Sequence, residues 1–310
     1  IQSHKCNFAH IKMISSCNNM VKGSHFQDAH SYGNGGKAYG IILQSATSEC
    51  LITENNFNHL RHSMIVQAGA NGNVFSYNYS TQPFWTGTSL PSTSAGDIVL
   101  HGNYPYLNLF EGNVVQNIVI DDSHGENGKF NTFFRNRAEL YGIVMNYNVP
   151  SDSQNFIGNE ITNTGLFMGN YLLYGKGHYQ YANNHKGTIT PTNTSQLNTK
   201  SLYLEQTPDY YQFYSNWPPV GPPNTLSAYQ IELEARVGQG MITKCQQVPN
   251  LSIVDSEKKI QMLVYPNPAE SILKIEVENC QVSLIQVYDT HGKLVIETET
   301  LSINIQDLLS

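Results

Sequence analysis

Charge is what this chain has least of. Asp, Glu, Lys and Arg together make up 13% of its 310 residues, and the formal net charge is −7. A sparse, net-negative set of charges cannot neutralise a phosphate backbone, so nucleic acid is not an expected partner. Cysteine is scarce too. Cys6, Cys17, Cys50, Cys245 and Cys280 are too few and too irregularly spaced for a disulfide framework, and no CxxC occurs. Cys50 reads as a small core residue. No apolar run reaches the roughly 20 residues of a membrane-spanning helix, so no transmembrane segment is expected. No Ser or Cys has an identifiable base beside it, and a covalent nucleophile is not indicated. The chain starts in mid-repeat without a signal peptide, which reads as a fragment or mature form lacking its N-terminus.

Gly, Asn, Ser, Thr and Tyr are abundant instead, the profile of a β-rich secreted protein. The length suits one elongated domain with a small appendage. Within it a short string recurs: CLITEN (50–55), NVFSYN (73–78), NLFEGN (108–113), NTFFRN (131–136) and QNFIGN (154–159). Each has an apolar residue three places before a terminal asparagine. Asn55, Asn78, Asn113, Asn136 and Asn159 are 23, 35, 23 and 23 residues apart, and YQYANN (179–184) places a sixth at Asn184. A period in the low twenties with one strand-like motif per unit describes a coil whose turns bury their apolar side chains by stacking. Asparagine suits the corner, because it tolerates left-handed dihedrals and stacked copies can bond each other.

A second register runs between these strings: GIILQ (40–44), SMIVQ (63–67), DIVLH (97–101), NIVID (117–121), GIVMN (142–146) and GLFMG (165–169). Strand alternation sends the second and fourth residues inward, giving Ile41/Leu43, Met64/Val66, Ile98/Leu100, Ile118/Ile120 and Ile143/Met145 as core. Successive copies run the same way with no room for crossover helices, so the sheet is parallel. The expected fold is all-β: a right-handed parallel β-helix followed by a small antiparallel β-sandwich. Residues 1–244 form the coil, with 186–244 as a Pro-rich extended segment across its end or flank, anchored by Trp217. A linker spans 245–260, and 261–310 forms the appendage.

The outward positions carry the chemistry. Asp97 and His101 share one strand, and Asp121 lies in the column of His101 one turn, about 4.8 Å, away. Gln67 and Asn146 continue that column. Asp122 and His124 follow in IDDSHGENG, while Arg61 and His62 precede the strand of Gln67. An outward apolar stripe, Ile42, Ile65, Val99, Val119 and Val144, should floor a groove between polar columns. The 35-residue spacing exposes an insertion at 80–97 with Phe84 and Trp85, either a sugar-stacking roof or a cover for the stripe's end. Tyr104 joins Trp85, Phe84, Gln67 and Asn146 as a substrate-binding candidate.

Carboxylates beside histidine with arginine near can do three things. They can act as acid and base on a glycosidic bond. Asp97, Asp121 and Asp122 can hold Ca²⁺ against a uronate while an uncharged base removes a proton. Or they can satisfy each other on a wet surface. His101 is the candidate base or acid, with Asp121, Asp122, Asp97, Arg61, His62 and His124 around it. His25, Asp28 and His30 could ligate a metal, though a polar surface stretch is the simpler reading. Arg135 and Arg137, which straddle Asn136, read as an ion-paired turn corner.

YPNPA, SLIQVYDTHGKLV and NIQDLL within 264–310 resemble the C-terminal sorting domain of the type IX secretion system of Bacteroidetes. The expected final Gly-x-Tyr strand is missing, which reads as truncation. The resemblance implies type IX secretion machinery as a partner and a protein secreted to, or attached at, the outer membrane exterior. The asparagine column and turn length of 1–244 resemble the pectate-lyase-like superfamily. Within it, RHSM, GANGN, YPYLNLFEGN, DDSHG and NTFFRNR are similar to strings of uncharacterised secreted proteins. DD and SHG at 121–125 are similar to the aspartate pair and Gly-His-Gly of polygalacturonases, but those lie on separate turns there and no Arg-Ile-Lys counterpart occurs here. Two classes of function follow: a lyase or hydrolase on an acidic polysaccharide, or a non-catalytic glycan-binding surface protein or adhesin.

Overall fold

The structure is a computed structural model that describes residues 1–32, 37–84, 96–146, 149–211, 216–242, 262–265, 271–277, 282–288 and 294–306. Two compact units divide the chain, 1–248 and 249–310.

The first unit is a parallel β-helix with three faces. The first face stacks Met20–Lys22, Leu51–Thr53, Val74–Ser76, Leu109–Glu111, Thr132–Phe134, Asn155–Ile157 and Tyr179–Tyr181 in register. The chain then turns at the asparagine onto a second face, which includes Gln2–Cys6, His25–Ala29, Asn56–Asn58 and Tyr79–Thr81. A bend leads to the third face, with Ala9–Ile14, Tyr39–Gln44, His62–Val66 and Ile98–Leu100. Two long strands, Val114–Ile120 and Arg137–Met145, run through that bend and join both faces into one curling sheet. The residues expected to point inward, Ile41 through Met145, all lie in one core.

The apolar position three before each asparagine forms a phenylalanine stack. Phe75, Phe110, Phe133 and Phe156 lie at 5.0, 5.1 and 5.1 Å between ring centroids, nearly parallel. Each buried ring contributes about 2–3 kcal/mol through area removed from water. Offset stacking adds roughly 0.5–1.5 kcal/mol per pair.

The asparagines form a continuous ladder. Each donates its backbone N–H and side-chain Nδ2–H to the Oδ1 of the next, at 2.9–3.1 Å, from Asn55 through Asn78, Asn113, Asn136 and Asn159. The last rung is Asn183, not Asn184. The left-handed conformation sits one place earlier than expected, on Glu54, Tyr77, Gly112, Arg135, Gly158 and Ala182 (φ +52 to +66°). The asparagine itself serves as the hydrogen-bonding wedge of the turn. A second ladder opens the same strands: Asn73 donates to Asn108, Asn108 to Asn131 and Asn131 to Gln154.

GLFMG (165–169) is not a strand. Leu166 and Phe167 are exposed there, and the third face continues instead through Asn170–Leu172, paired with Gly142–Val144. Gly142 permits that contact, because a Cβ on it would lie 2.0 Å from the Asn170 carbonyl oxygen.

The Pro-rich segment is a strap along the flank of the coil, with its own small core of Tyr77, Val114, Tyr211, Val220, Ile231 and Leu233. Trp217 anchors it by donating Nε1–H to the Tyr77 hydroxyl at 3.1 Å. Glu111, whose carboxyl burial pushes up to about 7, accepts from Ser201 and from the Leu202 N–H. Arg137 pairs with Glu160 at 2.8 Å as an ion-paired corner should. Arg135 does not: it is buried and gives all five N–H groups to the carbonyls of Leu197, Thr199, Val220 and Pro222.

The second unit pairs Met262–Tyr265, Ile272–Val277 and Ser302–Asn304 antiparallel, and Ile285–Tyr288 with Leu294–Thr298. The expected linker lies outside the described residues.

Candidate functional site

The third face ends each turn on one outward column. Gln67, His101, Asp121 and Asn146 each donate their backbone N–H to the carbonyl one coil back, at 2.9–3.0 Å, so residues 20 to 34 apart in sequence lie side by side. His101 and Asp121 are in contact, Nδ1 to Oδ2 at 2.5 Å. Asp121 also accepts from the Ser123 backbone N–H (3.0 Å), the Ser123 hydroxyl (2.5 Å) and Asn146 Nδ2 (3.1 Å). Burial alone would push this carboxyl up, but the hydrogen bonds and charge of His101, with those of Ser123, bring it down to about 2. Asp121 is therefore ionised near neutral pH, and the His101 Nδ1 must carry the proton it donates. Nε2 has no hydrogen-bond partner among the described residues.

Two more histidines border this ring. His124 meets it edge to face at 4.7 Å, and His62 lies 5.6 Å away. Gly102 makes the first contact possible: its φ is +73°, and a Cβ there would sit 2.6 Å from the His124 carbonyl carbon. His62 stacks on Tyr39 at 5.3 Å and donates Nδ1–H to the Gly96 carbonyl at 3.0 Å. Burial, with His101 and Arg61 beside it, pushes His62 down to about 3, so it is neutral at physiological pH.

A cleft of about 450 Å³ collects Phe8, Tyr39, Gln44, Arg61, Gln67, His101, Ser123 and His124. The Arg61 guanidinium has neither ion pair nor side-chain hydrogen bond among the described residues. Of the sequence candidates, the cleft thus brings together His101, Arg61, Gln67 and His124, with Asp121 behind His101 and His62 beside it.

Other candidates lie elsewhere. Asp97 was expected outward beside His101, but it precedes the strand, at a bend that turns its side chain inside. It is 1% exposed and accepts from the Ser80 hydroxyl and from the backbone N–H groups of Gln116 and Asn117. Burial pushes its carboxyl up to about 6. Asp122 accepts from Asn146 and from the Val149 N–H. Asp97, Asp121 and Asp122 therefore do not converge on a Ca²⁺ position, and no three His, Cys, Asp or Glu side chains among the described residues are arranged to hold a metal ion. His25 bonds Gln27 and Asn56, while Asp28 pairs with His59 at 2.8 Å, so the early histidine patch is not a ligand set either.

Of the apolar stripe, Ile42 lines the His101 cleft, whereas Ile65, Val99, Val119 and Val144 do not, and all five are at most 5% exposed. Gly96 lies directly over Val99 and Val119. Phe84 packs on Tyr32 at 4.3 Å, toward His59 rather than His101. Tyr104 is exposed on the loop after His101, outside the cleft. Trp85 lies outside the described residues.

Phe8, Tyr39, Gln44 and Ser123 are the cleft residues that sequence reasoning missed. Gln44 was readable, since it occupies in GIILQ the place of Gln67 in SMIVQ. Tyr39 was readable in the same way, since it precedes GIILQ as His62 precedes SMIVQ and pairs with His62, whereas Phe8 comes from the irregular first turns, where no repeat position marks it.

Among curated proteins and solved structures, none matches the chain. Residues 263–310 match the secretion system C-terminal sorting domain family. No helix among the described residues is long and apolar enough to cross a membrane. The tail is thus a sorting domain of the type IX secretion machinery, and the chain that carries it is a secreted or cell-surface protein.

Proposed function

We propose that the coil is a polysaccharide lyase that cleaves an acidic polysaccharide by β-elimination in the His101 cleft. The observation that carries this reading is the hydrogen bond from His101 Nδ1 to an ionised Asp121, which leaves Nε2 as the ring nitrogen free to act in a cleft where the Arg61 guanidinium has no ion pair among the described residues. His101 Nε2 takes the proton from the carbon next to a uronate carboxylate. The electron pair released forms the carbon–carbon double bond as the bond to the glycosidic oxygen breaks, and that oxygen leaves with a proton from His124 or water. Arg61 neutralises the carboxylate, whose charge grows as the proton departs. Gln67 offers an amide to sugar hydroxyls.

Hydrolysis is less well supported. It needs two carboxyl groups facing one bond, one of them protonated. Among the described residues Asp121 is the carboxylate at this cleft, and it is committed to His101 as an anion.

The test is turnover of a panel of uronate-containing polysaccharides, followed by absorbance of the unsaturated product. His101→Ala should lower the rate by about 10²–10⁴-fold, the usual contribution of a positioned base, while binding persists. Wild-type protein that binds a glycan of the panel but releases no unsaturated product from any would replace the lyase by a non-catalytic binding protein.

A further inference from the structure

The strap holds a second cleft, of about 290 Å³, that shares no residue with the one around His101. Its walls are Leu197, Asn198 and Lys200 on one side and Asn216, Trp217 and Pro218 on the other, with Arg135 as floor. The walls are tied together from below, because the five N–H groups of Arg135 are spent on carbonyls of both: Leu197 and Thr199, then Val220 and Pro222. The cleft is therefore preformed, and binding there orders little. Arg135 has no donor left for a ligand. Lys200 has: it is exposed, has no ion pair among the described residues, and holds its ammonium over the Trp217 ring, 5.9 Å from the centroid, a cation–π contact at an exposed position that a stacked sugar would displace.

The Trp217 ring is half-buried and fixed at its nitrogen by Tyr77, so it presents a rigid flat surface. The side-chain amides of Asn198 and Asn216 have no hydrogen-bond partner among the described residues. A fixed indole, two amides that each donate and accept, and one free ammonium fit a specific chemistry. The apolar face of a pyranose ring stacks on indole, hydroxyls pair with amides, and a ring carboxylate pairs with the ammonium in a charge-assisted bond. A neutral sugar would leave Lys200 unused, and an extended peptide would leave the stacking surface without a ring.

We propose that this cleft is a non-catalytic binding site for a uronate unit of an anionic polysaccharide. It holds the polymer at the flank of the coil independently of the His101 cleft. The proposal extends the glycan reading above but does not require that His101 be a base.

The test is electrophoresis of the full chain, carrying His101→Ala so that no substrate is consumed, through native gels containing polygalacturonate, alginate or hyaluronate, with hydroxyethyl cellulose as the neutral control. Retardation is expected in at least one anionic gel and not in the neutral one. Lys200→Gln and Asn198→Ala, both at exposed positions, should weaken it. Trp217→Ala should weaken it about tenfold or more, the consequence of losing roughly 1.4 kcal/mol of contact. The exposed variants decide the matter if Trp217→Ala loosens the strap. Introduced into protein with His101 intact, Lys200→Gln should leave turnover of short oligouronides unchanged, which separates this site from the cleft. Three results overturn the proposal: no retardation in any anionic gel, equal retardation in the neutral gel, or retardation that Arg61→Ala abolishes and Lys200→Gln leaves unchanged.

Discussion

Two columns of polar side chains climb the same coil with opposite inventories. In the corner ladder each of Asn78, Asn113, Asn136 and Asn159 spends its carbonyl oxygen on two donors and its NH₂ on two acceptors, so nothing is left over. In the third-face column the amides and carboxylate are equally well placed, but the bonding stops short. His101, Arg61 and His124 line the cleft, and His101 Nε2, the Arg61 guanidinium and the His124 ring have no hydrogen-bond partner among the described residues. Saturated stacks stabilise, because a buried group with every partner present costs nothing further and cannot be exchanged for water. An unsaturated stack has the same rigidity from its backbone register and keeps binding capacity for something that is not protein. Stacking at one coil pitch supplies both, and residue choice decides which.

The comparison breaks first at Asp121. Asp121→Asn keeps the shape but removes the charge that holds the His101 proton on Nδ1, so turnover should fall by about 10²–10⁴-fold with the tautomer lost. The melting temperature should change little by comparison. An Asp121→Asn variant with wild-type turnover would show that the dyad is only a surface contact. The reverse pattern is expected for the ladder. Asn113→Ala strands the Asn78 donors and the Phe75 carbonyl in the dry interior and should cost about 2–4 kcal/mol in unfolding free energy. The rate of the protein that stays folded should be unaffected. Asn183→Ala, at the final rung, strands the Asn159 donors and the Phe156 carbonyl in the same way but has no onward asparagine to lose, three side-chain bonds against four, and should cost slightly less. Losses below about 1 kcal/mol at both rungs, by denaturant titration, would mean the ladder does not act as a chain of buried shared bonds.

The sequence shows the register of the coil more clearly than its corners. Period and alternation are enough to place Ile41 and Met64 inside, and Gln67, His101, Asp121 and Asn146 in one column, because stacked turns repeat their geometry. They are not enough at the ends of strands. Asp97 occupies the first position of DIVLH, where alternation points outward, yet the chain has not straightened there, and the carboxylate turns in to cap Gln116 and Asn117. Asn183 and Asn184 are adjacent, and only the left-handed Ala182 before the turn decides which one wedges it. The stripe from Ile42 to Val144 has the right alternation for an exposed floor, but burial depends on what packs over it from distant sequence. Arg135 misled for the same reason: its partners are carbonyls of the strap, some 60 to 90 residues on, and backbone acceptors carry no sequence mark.

The smallest expected effect separates ladder, cleft and corner by pH. Amides do not titrate, so the ladder contributes none of it. Asp121 lies well below the usual carboxylate range when folded. Its stabilisation is complete above the ordinary pKa near 4 and lost only as pH falls toward about 2. Asp97 and Glu111 shift the other way, up to about 6 and about 7, because burial penalises their charge. Their stabilisation is complete below the ordinary range and lost as pH rises through those values, since the unfolded chain gives up these protons first. His62 opposes them: held near 3 when folded, it takes up its proton more readily in the unfolded chain, so stability gains from it as pH rises toward the ordinary histidine value near 6.5. The melting temperature should therefore vary little between about pH 4 and pH 6 and decline only from there to about pH 7, where Glu111 is the carboxyl still titrating. Glu111→Gln should flatten that decline while leaving the acid limb, which belongs to Asp121 and His62, where it was. A Glu111→Gln variant whose profile between about pH 6 and pH 7 is that of wild type would mean that Glu111 keeps ordinary acidity, and that its corner is no less hydrated than the cleft.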